Sequence, residues 1–319
     1  MPLFDLPMEE MRKYHGKNPC PHDFDEYWDR GLAEMRALDP AVELRPSGFQ
    51  CSQADCFDLY FTGVGGARVH AKYLRPRAAD GRHPALLLFH GYSGSSGDWN
   101  DKLNWVALGF SVLAMDCRGQ AGTSQDAGGI SGPTQFGLLA RGLDDAPDKL
   151  YFRQVFLDAA QLAGIAFALP EVDPARVACA GASQGGALTL ACAALQPGIR
   201  KAASLYPFLC DFQRVYEMEL ADTPYQEIRE FFRQRDPLHQ RERELFTRLG
   251  YIDVRLLAGR IRAEALMVTA MMDQVCPPST QFAAYNKIRS RKDMLLYPDH
   301  AHEALPGAWD RVFEFLSGL

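Results

Sequence analysis

The sequence predicts an α/β fold: a mostly parallel central sheet with helices on both faces, interrupted by a helical insertion. Three observations carry that prediction. Continuous apolar runs of strand length alternate with helical stretches. One run, Val177-Ala178-Cys179-Ala180, passes through Gly181-Ala182-Ser183-Gln184-Gly185-Gly186 into Ala187 to Leu195, which reads as strand, sharp turn and tightly packed helix. Over Phe212 to Ala258 the composition shifts to Arg- and Glu-rich helix, broken at Pro224 and Pro237, before strand-like runs resume.

Taken in order, Pro21 to Leu38 is amphipathic, with Phe24, Tyr27, Trp28, Leu32 and Met35 at helical spacing, and is expected to brace the fold within a helical extension over about residues 1–45. Phe57 to Thr62 and Ala67 to Leu74 flank Gly63-Val64-Gly65-Gly66 as a hairpin. A strand follows these glycines, which excludes a dinucleotide-binding loop. Pro84 to Phe89 and Phe110 to Met115 suit strands buried on both faces, with a helical stretch around Leu103 to Leu108 between them. Ala121 to Asp148, rich in Gly, Ser and Asp, is expected to be a surface loop, and Leu150 to Leu169 a helix. Lys201 to Leu205, Glu264 to Ala270 and Asp293 to Tyr297 complete the strands, and Trp309 to Leu316 is a closing amphipathic helix. The 212–258 stretch reads as an excursion over one end of the sheet, as a lid or substrate wall, or as solvated helices that only cover the core.

With 319 residues, 47% of them hydrophobic, the chain suits one large domain with a sizeable core. A net charge of -6 offers nothing to nucleic-acid phosphates or an anionic membrane, so the expected partner is a small molecule. Met1 to Lys17 is charged and does not read as a secretory signal, and no run reaches the roughly 18 apolar residues that span a bilayer. The eight cysteines are scattered through apolar runs and read as free thiols in a reducing cytoplasm, with Cys51 and Cys56 as the one pair that could be bridged.

Serine hydroxyl needs a base to become a nucleophile, and the base needs an orienting acid. In an α/β hydrolase the chain order is Ser, acid, His, with the last two on loops after later strands. Asp273, after the run Leu266 to Ala270, fits the acid. His302 fits the base, and His300, two residues earlier on the same loop, competes with it on spacing alone. His300, His302 and Glu303 could also be read as metal ligands, but no further cluster with ligand spacing accompanies them. The oxyanion of an acyl transfer needs fixed donors: the N–H of Gln184, after the serine, and the N–H of Tyr92 in His90-Gly91-Tyr92 are the candidates. A glycine-rich turn without chemistry is the plain alternative for the serine motif.

These residues resemble the cephalosporin C deacetylases and acetyl xylan esterases of carbohydrate esterase family seven along nearly the whole chain. The likeness rests on Arg118-Gly119-Gln120, Gly181-Ala182-Ser183-Gln184-Gly185 and His302-Glu303, and on Pro207 to Phe212, Asp273 to Gln281 and Ala283 to Asn286. It implies an α/β-hydrolase fold and Ser183, Asp273 and His302 as the triad, which selects His302 over His300. It also implies Tyr92 and Gln184 as oxyanion donors, no cofactor, and a cytoplasmic homo-oligomer, often a hexamer. Arg118 and Gln120 are expected to support the site by holding backbone carbonyls, not to react. Phe208, Pro224 and Val275, with Tyr92, are expected to narrow the acyl pocket to acetyl, with ordinary core packing as the alternative for the first three. A serine oligopeptidase and a non-catalytic binding protein on a hydrolase scaffold are the competing readings.

Overall fold

The computed structural model describes residues 4–77, 81–129, 137–220 and 224–319. Helices α1 (Met8–Met11) and α2 (Phe24–Ala37) precede strands β1 (Glu43–Pro46), β2 (Ala54–Thr62), β3 (Arg68–Pro76) and β4 (His83–Phe89). Then come α3 (Leu103–Ala107), β5 (Ser111–Met115), α4 (Tyr151–Ala168), β6 (Val172–Ala182), α5 (Gln184–Leu195) and β7 (Lys201–Leu205). Four helices follow: α6 (Phe212–Glu217), α7 (Gln226–Arg235), α8 (Glu242–Gly250) and α9 (Val254–Leu257). The chain closes with β8 (Glu264–Ala270), α10 (Pro278–Lys287), β9 (Lys292–Tyr297) and α11 (Ala308–Ser317).

The described strands form one sheet in the order β1-β2-β3-β5-β4-β6-β7-β8-β9. β1 to β3 are antiparallel and join the sheet where β3 runs antiparallel to β5, while β5, β4, β6, β7, β8 and β9 are parallel. Alternation along the central strands explains why their sequences are apolar throughout. Leu87, Phe89, Leu113 and Cys179 face a core shared with α2, α4 and α5, and Leu86, Val112 and Ala178 face one shared with α3 and α11. Helix α5 is buried at every residue, which accounts for its run of Ala, Gly and Cys.

The N-terminal extension packs against α4 and the insertion. Trp28 stacks on Phe156 of α4 and donates through Nε1 to the Tyr251 carbonyl in the insertion (3.1 Å). The backbone N–H groups of Lys17 and Asn18 donate to Asp211, and Arg255 donates to the carbonyls of His15 and Asn18. The structure departs from the sequence reading in three places. The extension ends in a strand, β1, held by register with β2. Helix α10 follows Pro277 in a stretch to which the sequence reading assigned no element. The Ala121 to Asp148 stretch is not simply surface: Leu139 and Leu143 are buried in the main core, while residues 130–136 lie outside the described residues.

One buried ionic cluster fastens the antiparallel hairpin to the parallel sheet. His70 on β3 lies 2.7 Å through Nδ1 from Asp116, at the end of β5, and 2.8 Å through Nε2 from Asp58 on β2. Asp116 also accepts from the N–H groups of Ser96 and Thr123. Burial alone would lower the His70 pKa, but the hydrogen bonds to Asp116 and Asp58 outweigh it and raise the value above the ordinary histidine range. Because the folded pKa exceeds the unfolded one, the protonated cluster stabilises fully below about pH 6.5 and loses that contribution as pH rises through the folded value. Urea unfolding followed from pH 6 to pH 9 is therefore expected to show a fall in stability in the wild-type chain that is absent from His70→Asn.

Candidate active site

Ser183 stands between β6 and α5 with φ 57° and ψ −118°, a backbone conformation an L-residue rarely adopts. Its neighbours hold it there: its N–H donates to the Leu205 carbonyl, and its own carbonyl accepts from Phe208 N–H, each at 3.0 Å. The flanking glycines serve by absence of bulk and not by unusual angles. Neither Gly181 nor Gly185 has a positive φ, yet a methyl group on Gly185 would lie 2.1 Å from the Phe89 carbonyl oxygen, and one on Gly181 2.6 Å from the same atom. The strain sits on the serine itself, which the turn lifts out at the carboxyl edge of the sheet.

The loops after β8 and β9 bring Asp273 and His302 to that edge. His302 Nε2 is 3.1 Å from Ser183 Oγ, and His302 Nδ1 is 2.8 Å from Asp273 Oδ2. Asp273 is fully buried, and its other oxygen accepts from the N–H groups of Val275 (2.9 Å) and Cys276 (2.8 Å). These bonds fix the carboxylate and leave one oxygen for the imidazole, which sets the tautomer that presents a free nitrogen to the serine. The edge of the His302 ring meets Tyr206, with centroids 4.9 Å apart. His300 points elsewhere, its ring against Tyr297, and its Nδ1 has no partner among the described residues.

Asp273, His302 and Cys276 bring ligand-type atoms within 4.8 Å of one another, a grouping different from the His300, His302 and Glu303 set considered from the sequence. Burial pushes the Cys276 thiol far above its usual range, and Asp273 and His302 are already bonded to each other.

Gln184 opens α5, so its N–H has no place in the helical ladder and carries the partial positive charge of the helix start. The N–H of Tyr92 likewise has no acceptor among the described residues. The Gln184 side chain is fully buried and pairs reciprocally with Gln120: Gln120 Nε2 donates to Gln184 Oε1 at 2.8 Å, and Gln184 Nε2 to Gln120 Oε1 at 3.2 Å. Gln120 thus holds a side chain, not a backbone carbonyl as expected from the sequence. Arg118 does hold a carbonyl, that of Val64 at 3.0 Å, but it is engaged chiefly by Asp158, whose two oxygens take Nε at 2.7 Å and Nη2 at 2.5 Å. The Arg118 carbonyl accepts from Tyr151 OH, whose oxygen in turn accepts from Gln120 Nε2, so the loop is anchored to α4 at two points.

Of the residues expected to bound an acyl group, Tyr92, Pro224 and Val275 are half-buried. Phe208 is fully buried, edge-on to Tyr92 (5.8 Å) and to Tyr225 (4.7 Å), so it packs behind the Tyr92 ring. Sequence reasoning missed Tyr206, Cys276, Asp158 and Glu227. Cys276 could have been found as the third residue past Asp273; nothing local marks the other three.

A serine, a histidine and a buried aspartate joined in this order can transfer an acyl group. The model of the acetyl xylan esterase family matches residues 1–319, the whole chain. The chain belongs to the acetyl xylan esterase family. As a member of that family it is a carboxylic ester hydrolase of the α/β-hydrolase fold. A solved acetyl xylan esterase from a Thermoanaerobacterium species is 58% identical, covers 98% of this chain and 99% of its own, and superposes with a TM-score of 0.97. Another, from a Paenibacillus species, is 34% identical over 98% of this chain and 99% of its own, with a TM-score of 0.93. The acetyl esterase Axe7A of Xylanibacter ruminicola is 27% identical over 92% of this chain, and the chain spans 65% of that relative's length. No described helix is long and apolar enough to cross a membrane.

The Arg118–Asp158 pair lies under this esterase's site with both side chains almost fully buried. Removing one partner strands the other's charge, so Asp158→Ala is expected to cost about 3 kcal/mol in urea unfolding, with Arg118→Ala costing a similar amount.

Proposed function

We propose that this esterase removes acetyl groups from small acetylated substrates through an acetyl-enzyme, using Ser183, His302 and Asp273. The observation that carries the reading is the continuous chain from buried Asp273 through His302 to the strained Ser183. Ser183 Oγ attacks the acetyl carbonyl while His302 Nε2 takes the hydroxyl proton, and Asp273 stabilises the imidazolium that forms. The N–H groups of Tyr92 and Gln184 receive the oxyanion of the tetrahedral intermediate. As it collapses, His302 returns the proton to the departing alcohol oxygen. Water, deprotonated by the same histidine, then attacks the acetyl-serine; as that second intermediate collapses His302 returns the proton to Ser183 Oγ, and acetate leaves.

The substrates proposed are acetylated xylo-oligosaccharides and the acetyl ester of cephalosporin C, because the machinery contacts the acyl group and leaves the alcohol side open to variation. Tyr92, Pro224 and Val275, with Phe208 behind Tyr92, form the acyl wall. A cytoplasmic homo-oligomer, hexameric by resemblance, belongs to the same proposal.

The test is acetate release from p-nitrophenyl acetate and a peracetylated xylo-oligosaccharide by the wild-type chain and by Ser183→Ala. Both activities are expected to fall by at least about 10³-fold in the variant. A folded Ser183→Ala protein that keeps full activity would overturn the assignment of the nucleophile. With the wild type, p-nitrophenyl octanoate is expected to turn over at least about tenfold more slowly than the acetate, and equal rates would remove the acyl wall from the proposal.

A further inference from the structure

The helical insertion touches the proposed oxyanion loop through one carboxylate. Glu227, near the start of α7 and three residues past Pro224, is 2% exposed and has no cationic partner among the described residues. Its Oε1 accepts from Leu139 N–H (3.1 Å) and Tyr92 OH (3.2 Å), and its Oε2 accepts from Ala140 N–H (2.8 Å). The Tyr92 oxygen itself accepts from Leu138 N–H at 2.7 Å. Three successive backbone N–H groups therefore converge on three oxygens, one from the tyrosine and two from the glutamate. The space for this is made by Gly137, which has φ 125°: a methyl group there would lie 1.9 Å from Glu227 Oε1 and 3.0 Å from Tyr92 OH.

A buried carboxylate without a counter-ion is costly, and only a full set of hydrogen bonds keeps it in place. Here those bonds bind together a helix of the insertion, the 137–140 segment and the outer end of the Tyr92 ring. The inner end of that residue carries the N–H that the proposed mechanism aims at the oxyanion. With the ring edge-on to Phe208, and Phe208 N–H bonded to the Ser183 carbonyl, the clamp closes a circuit back to the nucleophile.

We propose that Glu227 is a positioning residue: by gripping the Tyr92 hydroxyl and the 137–140 backbone, it fixes the Tyr92 N–H for the oxyanion and keeps the acyl wall narrow. This rests on the deacetylase reading above. Donor placement matters to the transition state far more than to substrate binding, so the effect belongs in kcat, and a slackened Tyr92 ring admits longer acyl chains.

The experiment measures kcat and KM for p-nitrophenyl acetate and butyrate with the wild type, Glu227→Gln and Tyr92→Phe, and urea unfolding of each. Glutamine keeps the shape but sets an NH2 group against a backbone N–H. Tyr92→Phe deletes the hydroxyl and leaves Glu227 its two backbone donors, so it serves if Glu227→Gln fails to fold. In folded variants kcat on acetate is expected to fall about 10- to 100-fold, with KM within about threefold of wild type and the butyrate-to-acetate rate ratio raised. Wild-type kcat and chain-length preference in folded variants would overturn the inference, as would a loss of rate merely proportional to the unfolded fraction. A wild-type chain that releases no acetate overturns the deacetylase reading itself. An active wild type with an unaffected Glu227→Gln overturns the clamp alone.

Discussion

The structure depends on how closely the turn after β6 is pressed against the backbone of β4. The Phe89 carbonyl occupies the space where side chains at Gly181 and Gly185 would begin. That contact lets α5 start directly beneath the sheet edge and forces Ser183 into a conformation that local preference opposes. The penalty is covered by surroundings that over-determine the turn: bonds to Leu205 and Phe208 on one side, and a helix buried along its whole length on the other. Asp273 and His302 arrive on the loops after β8 and β9. The serine cannot move without separating strand from helix.

The parallel strands were legible because burial on both faces leaves no choice but apolar residues, and the runs Lys201–Leu205 and Glu264–Ala270 coincide with β7 and β8. Strand β1 was not, because Glu43-Leu44-Arg45-Pro46 is an exposed edge whose pairing comes from register with β2 alone. Helix α10 hid behind Pro277-Pro278-Ser279-Thr280, which reads as loop, although proline at a helix start costs nothing. Order along the chain exposed Ser183, Asp273 and a histidine loop. Choosing between His300 and His302 needed either the family likeness or coordinates, since both follow the last strand and only their direction differs.

Glu227 shows where sequence reading runs out. It lies in Gln226-Glu227-Ile228-Arg229-Glu230, among acids and bases of which most are solvated, and nothing local distinguishes the one that is buried. Its meaning comes from partners in Tyr92 and in the 138–140 backbone, far away in the chain. The same distance explains the misreading of Ala121 to Asp148 as surface. Leu139 and Leu143 are buried in the main core, and the Leu139 N–H is held by Glu227 of α7. The insertion is therefore part of the site's frame and not an addition laid over a finished hydrolase.

The eight cysteines have a consequence for how the molecule ages. All are free, Cys20 is exposed, Cys51 is half-buried and the other six are buried. Burial holds the thiols of Cys117, Cys179, Cys210 and Cys276 well above their ordinary pKa, so within the fold they are chemically quiet. Global opening releases them together, in a chain where any two can then pair wrongly under air or peroxide. Under oxidising conditions each excursion to the open state is a chance not to return. The working lifetime of this esterase under oxidation is then set by how often the fold opens and how long it stays open.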